Sequence, residues 1–152
     1  KLKLSNFAWG HIYVENKNQF VRADSFPSSN YTIWLGNRTG PGRISSTASD
    51  LLKWDQALYE SKLVLDKTLT EAFSPTKLTT DSISSYGFGW AIQQSKIGKV
   101  VRHSGDNPGY KTHIVRYIDA NKTIILLCNN AHARFVELLK TIEDVVTDSN
   151  QR

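Results

Sequence analysis

The sequence contains one cysteine and no methionine among its 152 residues. A single cysteine excludes an internal disulfide, and the position of Cys128 at the end of the apolar run 123–128 predicts a buried thiol on a strand. Cysteine usage therefore gives no information on the cellular compartment. Because the chain begins with Lys1 and has no methionine, we expect it to be a processed or truncated piece of a longer protein.

Long apolar runs and runs of like charge are also absent. The run 123–128 is far shorter than the roughly 18 residues of a membrane span, so we predict none. The net charge is +5, but the 19 lysines and arginines are scattered along the whole chain. A nucleic-acid-binding protein concentrates such residues or alternates them with aromatics, so we predict no nucleic-acid partner. The four histidines show no metal-ligand spacing, and we predict neither a metal nor a cofactor.

The hydrophobic pattern predicts an α+β fold, with an antiparallel sheet of about four or five strands and a C-terminal helix packed on one face. We expect residues 1–152 to form one unit that is divided as follows: irregular segments and short strands in 1–45, helices in 46–80, antiparallel strands in 86–130 and a helix in 133–147. The predicted strands are Trp9–Val14, Gln19–Arg22, Tyr86–Ile92, Lys99–Ser104, Tyr110–Tyr117 and Thr123–Cys128. Their short connections indicate antiparallel pairing.

Two predicted helices precede the sheet. Thr47 is in position to cap the first, whose apolar stripe consists of Leu51, Trp54 and Leu58. Asp50 and Asp55 are interpreted as part of the cap and of the solvated face, and not as a catalytic carboxylate pair. A second short helix is predicted for Lys67–Phe73, after Asp66 as its cap. The C-terminal helix has a predicted buried stripe of Phe135, Leu138, Leu139, Ile142 and Val146.

Four segments occur in an order that is typical of one enzyme superfamily. They are a glycine-rich loop followed by S-T-A-x-D-L-x-x-W in Gly40–Trp54, Y-G-x-G-W in Tyr86–Trp90, H-x-G-x-x-P-G-Y in His103–Tyr110, and an apolar strand ending in asparagine in Thr123–Asn130. With these segments the chain resembles the C-terminal part of the serine β-lactamase and penicillin-binding-protein superfamily, of the class C type. The resemblance implies the C-terminal portion of a β-lactamase/transpeptidase-like fold.

The resemblance also implies a role for each residue of His103–Asp106. In the superfamily a serine of an S-x-x-K motif attacks a carbonyl carbon beside a K-T-G or H-x-G strand. On this sequence His103 places a donor or positive charge near the nucleophile, and Ser104 offers a hydroxyl to a substrate carboxylate. Gly105 lets substrate approach the strand, and the N–H of Asp106 occupies the oxyanion-hole position. The alternative is that His103 is a strand histidine with a structural hydrogen bond.

Two features of the sequence limit what this segment can do. Relatives often have a small residue after the glycine, so the carboxylate of Asp106 is expected to disfavour anionic substrates, β-lactams in particular. The S-x-x-K and Y-x-N motifs of the superfamily lie upstream of the equivalent of Lys1. Ser74–Lys77 fits S-x-x-K literally but does not open a buried helix, so we do not assign it a catalytic role.

We therefore expect the intact parent to hydrolyse a β-lactam, a D-Ala-D-Ala peptide or an ester, and this chain alone to be inactive. Its predicted partners are the missing N-terminal part of the same domain and a small-molecule or peptide acyl substrate, and the isolated fragment is expected to self-associate. The resemblance implies a periplasmic, cell-surface or secreted location in a bacterium. The alternative function is a non-catalytic binding module that retains part of the fold.

Overall fold

A computed structural model of the protein describes residues 6–25, 42, 44–131 and 134–148, and shows an α+β fold. The strands are β1 (His11–Val14), β2 (Gln19–Arg22), β3 (Thr76–Lys77), β4 (Ile83–Ser84), β5 (Ala91–Ser95), β6 (Gly98–Asn107), β7 (Tyr110–Tyr117) and β8 (Lys122–Cys128). The helices are α1 (Ala48–Tyr59), α2 (Asp66–Ala72) and α3 (Phe135–Asp148). Strands β5, β6, β7 and β8 form one sheet in that order, which confirms the predicted antiparallel sheet of about four or five strands.

The chain divides into two compact units. The first comprises 1–45, 105–112 and 127–138, and the second comprises 46–104, 113–126 and 139–152. In the first unit β1 and β2 pair as an antiparallel hairpin, as predicted, and His11 lies opposite Arg22. The His11 N–H donates to the carbonyl of Asn129 at 2.8 Å, and the Ala131 N–H donates to the His11 carbonyl at 3.1 Å. These bonds attach the hairpin to the segment that follows β8.

The core of the second unit lies between the sheet and α3. Five buried residues form it: Val100, Val115, Tyr117, Ile124 and Leu139. Ile142 and Val146 of α3 pack against this cluster, which confirms that the C-terminal helix covers one face of the sheet. Leu138 departs from the predicted stripe, because 47% of it is exposed.

Helix α1 begins as predicted but buries an unexpected residue. The Thr47 hydroxyl accepts a hydrogen bond from the Asp50 N–H at 3.1 Å, which caps the first turn. The prediction that Asp55 lies on a solvated face was wrong, since its side chain is fully buried. Arg116 of β7 donates to the Asp55 carboxylate at 2.5 Å, and the Thr123 hydroxyl donates to it at 3.0 Å. A charged partner and a second donor compensate for the lost hydration.

The strand predicted for Tyr86–Ile92 was wrong in its first half. Strand β5 begins at Ala91, and Tyr86 makes only an isolated bridge to Ala91. Between them the Gly87 N–H donates to the Trp90 carbonyl at 2.8 Å and closes a turn, in which Gly89 has a φ of +78°. A β-carbon on Gly87 would lie 2.1 Å from the carbonyl oxygen of Ala72, so this glycine permits a close backbone approach.

Candidate functional site

All four predicted site residues lie on β6, in a stretch that β5 does not cover. The β5–β6 pairing runs from Ser95 opposite Gly98 to Ala91 opposite Arg102, and β6 continues through 103–107. His103, Ser104 and Asp106 are exposed there, and Gly105 is half-buried. Within the described ranges, the segment therefore extends past its pairing with β5 and has three exposed residues.

The strand geometry divides the four residues between the two faces of the sheet. Successive side chains of a strand alternate, so His103 shares a face with Gly105, and Ser104 shares the other face with Asp106. Residues two apart on a strand are about 6.5–7 Å apart. The structure thus places the four residues in one exposed segment, but it does not bring their side chains together at a single point.

The space beside Gly105 is already occupied by a residue of β7. A β-carbon built on Gly105 would lie 2.4 Å from the Thr112 hydroxyl oxygen. A side chain at this position would therefore require the Thr112 hydroxyl to rotate away. The resemblance also implies that substrate approaches the strand at Gly105, and this role stays a prediction.

Asp106 is neutralised by an ion pair that the sequence interpretation missed. The Lys111 ammonium of β7 donates a hydrogen bond to the Asp106 carboxylate. The side chain of Lys111 is 31% exposed and that of Asp106 is 66% exposed. Oppositely charged residues on neighbouring strands form such pairs readily.

The turn after Asp106 is held against the start of the hairpin. Gly109 has a φ of +81°, and a β-carbon on it would lie 2.6 Å from the carbonyl carbon of Gly10. The Tyr110 hydroxyl accepts a hydrogen bond from the Gly10 N–H at 2.8 Å and donates to the Ala8 carbonyl at 3.0 Å. Partial burial raises the pKa of Tyr110 above its ordinary value. The P-G-Y part of the motif therefore has a structural role.

His113 of β7 is a half-buried histidine close to the site. Burial lowers its pKa, and the neighbouring charges of Arg102 and His103 lower it further. Its Nε2 is buried without a hydrogen-bond partner among the described residues. The lowered pKa favours the neutral imidazole.

Ser74 and Lys77 do not have the arrangement of an S-x-x-K motif. Ser74 follows the C-terminal end of α2, and its hydroxyl donates to the Thr70 carbonyl at 2.6 Å. Lys77 lies on β3 and pairs with Asp81 at 2.7 Å. The serine hydroxyl and the lysine ammonium thus have different partners, and no helix carries both residues.

Neither a metal centre nor a membrane helix is found in the described part of the chain. Among residues 6–25, 42, 44–131 and 134–148, no three histidine, cysteine or acidic side chains are grouped so that they could hold a metal ion. No helix within these ranges has the length and apolarity needed to cross a membrane.

Comparison with known proteins assigns the chain to a family. The family model described as Beta-lactamase matches residues 7–147. The chain belongs to the beta-lactamase family. Penicillin-binding protein 4* of Bacillus subtilis (strain 168) is a relative with 36% identity over 147 residues, which cover 95% of this chain and 33% of that protein.

A solved structure shows the same fold. The crystal structure of a penicillin-binding protein from Bacillus halodurans matches with a TM-score of 0.61 at 18% identity, over 90% of this chain and 40% of that one. This beta-lactamase-family chain spans about a third of the length of its curated relative. The resemblance inferred from the four motifs is therefore confirmed, and so is the fold class. The roles of His103, Ser104, Gly105 and Asp106 stay predictions.

Proposed function

We propose that this chain provides one wall of the acyl-binding groove of a serine hydrolase. The observation that carries the proposal is the exposed half of β6, in which His103–Asp106 extend beyond the pairing with β5. An uncovered strand segment offers backbone donors and acceptors to a ligand. Membership of the beta-lactamase family supports a substrate that is attacked at a carbonyl carbon.

The proposed reaction proceeds through an acyl-enzyme. A serine oxygen bonds to the substrate carbonyl carbon, the bond from that carbon to the leaving oxygen or nitrogen breaks as the leaving atom takes up the serine proton, and water then hydrolyses the new ester. The Asp106 N–H stabilises the oxyanion that forms in each step, a contribution of about 3–4 kcal/mol for one well-placed donor. His103 donates a hydrogen bond or proton next to the nucleophile, and Ser104 binds a carboxylate of the substrate.

The serine itself is proposed to lie outside this segment. The hydrogen bond of Ser74 to a helix carbonyl and the ion pair of Lys77 with Asp81 support this assignment, because neither group is available to the other. We therefore expect this chain alone to turn over no acyl substrate. Its partner is the remainder of a longer domain, and self-association is expected when that remainder is missing.

The substrate classes that fit are β-lactams, D-Ala-D-Ala peptides and esters. Two relatives are named as penicillin-binding proteins, which supports an acyl substrate of this kind. A substrate derived from the cell wall would require a periplasmic, cell-surface or secreted location, and we propose that location for the full-length protein.

Hydrolysis assays on the full-length protein test the proposal. We expect His103→Ala to lower kcat/KM for an activated ester and for a β-lactam by at least about 10-fold, a threshold set below the roughly 100-fold contribution typical of a positioned proton donor. Gln93→Ala is the matched control, because Gln93 is also an exposed strand residue. Equal turnover by wild type and His103→Ala would remove His103 from the site. Saturable ligand binding without any turnover would instead identify the non-catalytic binding module.

A further inference from the structure

The ion pair between Asp106 and Lys111 changes the electrostatic character of the proposed groove. An acidic residue after the glycine would by itself repel an anionic substrate. The Lys111 ammonium contacts the Asp106 carboxylate directly, so the pair carries no net charge. The lysine side chain is 31% exposed and the aspartate side chain is 66% exposed, so much of the lysine side chain is covered while its ammonium contacts the carboxylate.

The pair lies on the face of β6 where a substrate carboxylate is proposed to bind. Ser104 and Asp106 are two residues apart on one strand, so their side chains leave the same face about 6.5–7 Å apart. At that distance, an unpaired Asp106 carboxylate would weaken the binding of a substrate carboxylate at Ser104 by roughly 3-fold in water. The effect is larger where water is partly excluded. Neutralisation of the Asp106 charge by Lys111 therefore affects how well an anionic group binds at Ser104.

We propose that Lys111 is a specificity-determining residue, which lets this strand accept substrates that carry a carboxylate. The inference rests on the function proposed above. Lys111 does not take part in the chemistry: it removes a repulsion that Asp106 would otherwise exert. The acidic residue and its lysine act as one neutral unit.

The test compares two esters in the full-length protein. The esters share one leaving group and differ only in a carboxylate or a methyl amide on the acyl portion. We expect Lys111→Met to lower the ratio of kcat/KM for the anionic ester to that for the neutral ester by roughly 3- to 10-fold. High salt should diminish this loss. The double variant Lys111→Met with Asp106→Asn should restore the wild-type ratio, because both charges are then removed.

A remote lysine controls for the change in net charge. Lys77 is 70% exposed and pairs with Asp81 in the second unit, so Lys77→Met removes the same charge without touching β6. If Lys111→Met leaves the ratio of the two kcat/KM values unchanged, the inference is refuted while the proposed function stands. A protein that hydrolyses neither ester would refute the proposed function and this inference together. A double variant as poor as Lys111→Met would show that the lysine contacts substrate itself, which also contradicts the inference.

Discussion

Removing one partner of the buried pair between Asp55 and Arg116 is expected to destabilise the protein strongly. Both side chains are at most 1% exposed, and the guanidinium also lies over the Tyr59 ring at 4.6 Å. Asp55→Leu leaves a buried arginine without its counter-ion, and Arg116→Met leaves a buried carboxylate without one. Each change should lower the free energy of unfolding by about 3–5 kcal/mol, as for other buried pairs from which one partner is removed.

The double variant should recover most of this loss. With both charges removed, two apolar side chains of similar volume fill the space, and such replacements are often neutral or stabilising. The Thr123 hydroxyl loses its acceptor in the double variant, which costs about 1–2 kcal/mol. We therefore expect the double variant to be within about 2 kcal/mol of wild type, and far from the sum of the two single losses.

Urea unfolding of the four proteins measures the coupling directly. The exposed pair of Lys77 and Asp81 provides a control, and Lys77→Met should change the unfolding free energy by less than about 1 kcal/mol. Two results would refute the conclusion that each buried charge depends on the other. One is a loss of unfolding free energy below about 1 kcal/mol in the single variants, and the other is a double variant in which the two losses simply add.

Three further predictions concern residues near β6. Tyr110→Phe removes the hydroxyl between Ala8 and Gly10 and should lower the unfolding free energy by about 1 kcal/mol; no change in urea unfolding would contradict the observed bonds. Gly109→Ala should lower the unfolding free energy by over about 2 kcal/mol, because it combines a positive φ with a clash against backbone. Gly89→Ala has a similar φ but open space around it, so it should lower the unfolding free energy by about 1 kcal/mol. Equal losses for the two variants would show that the clash is unimportant. The pKa of His113 in the folded state is below its ordinary 6.5, so the unfolded state binds the proton first as the pH falls. The unfolding free energy should therefore decrease from about pH 6.5 downwards, until the lowered pKa is passed. His113→Gln should remove this part of the pH dependence, and an unchanged pH profile of the unfolding free energy would contradict the prediction.

The regular elements were predictable because their patterns are local. The apolar spacing of α3 and the Thr47 cap of α1 each reflect contacts within a few residues or with one continuous core. Strand β5 was placed too early, since Gly89 turns the chain before the ladder begins. Apolar side chains on both sides of a turn look like a strand when only their alternation is considered.

Asp55 could not be identified as buried from its own neighbourhood. Its partner, Arg116, lies 61 residues away on another element, and a periodic pattern treats any aspartate as polar. A buried charge is tolerated only where such a distant partner is supplied by the fold. The fold therefore had to be known before this residue could be understood.

The contacts within the candidate site could have been found from the turn. A two-residue connection at Pro108–Gly109 between antiparallel strands places Asp106 near Lys111 and Gly105 near Thr112. The H-S-G motif by itself carries no information on the residues of the opposite strand. The roles proposed for His103 and Ser104 do not follow from these contacts, and they stay predictions.

Acylation of the full-length protein tests the central claim most directly. After rapid mixing with an activated ester, the burst of leaving group gives the acylation rate, and mass spectrometry of the quenched peptides locates the acyl group. We predict a burst at least about 10-fold slower for His103→Ala than for wild type, with the acyl group on a serine outside residues 1–152. An unchanged burst rate, or an acyl group on Ser74, would contradict the account.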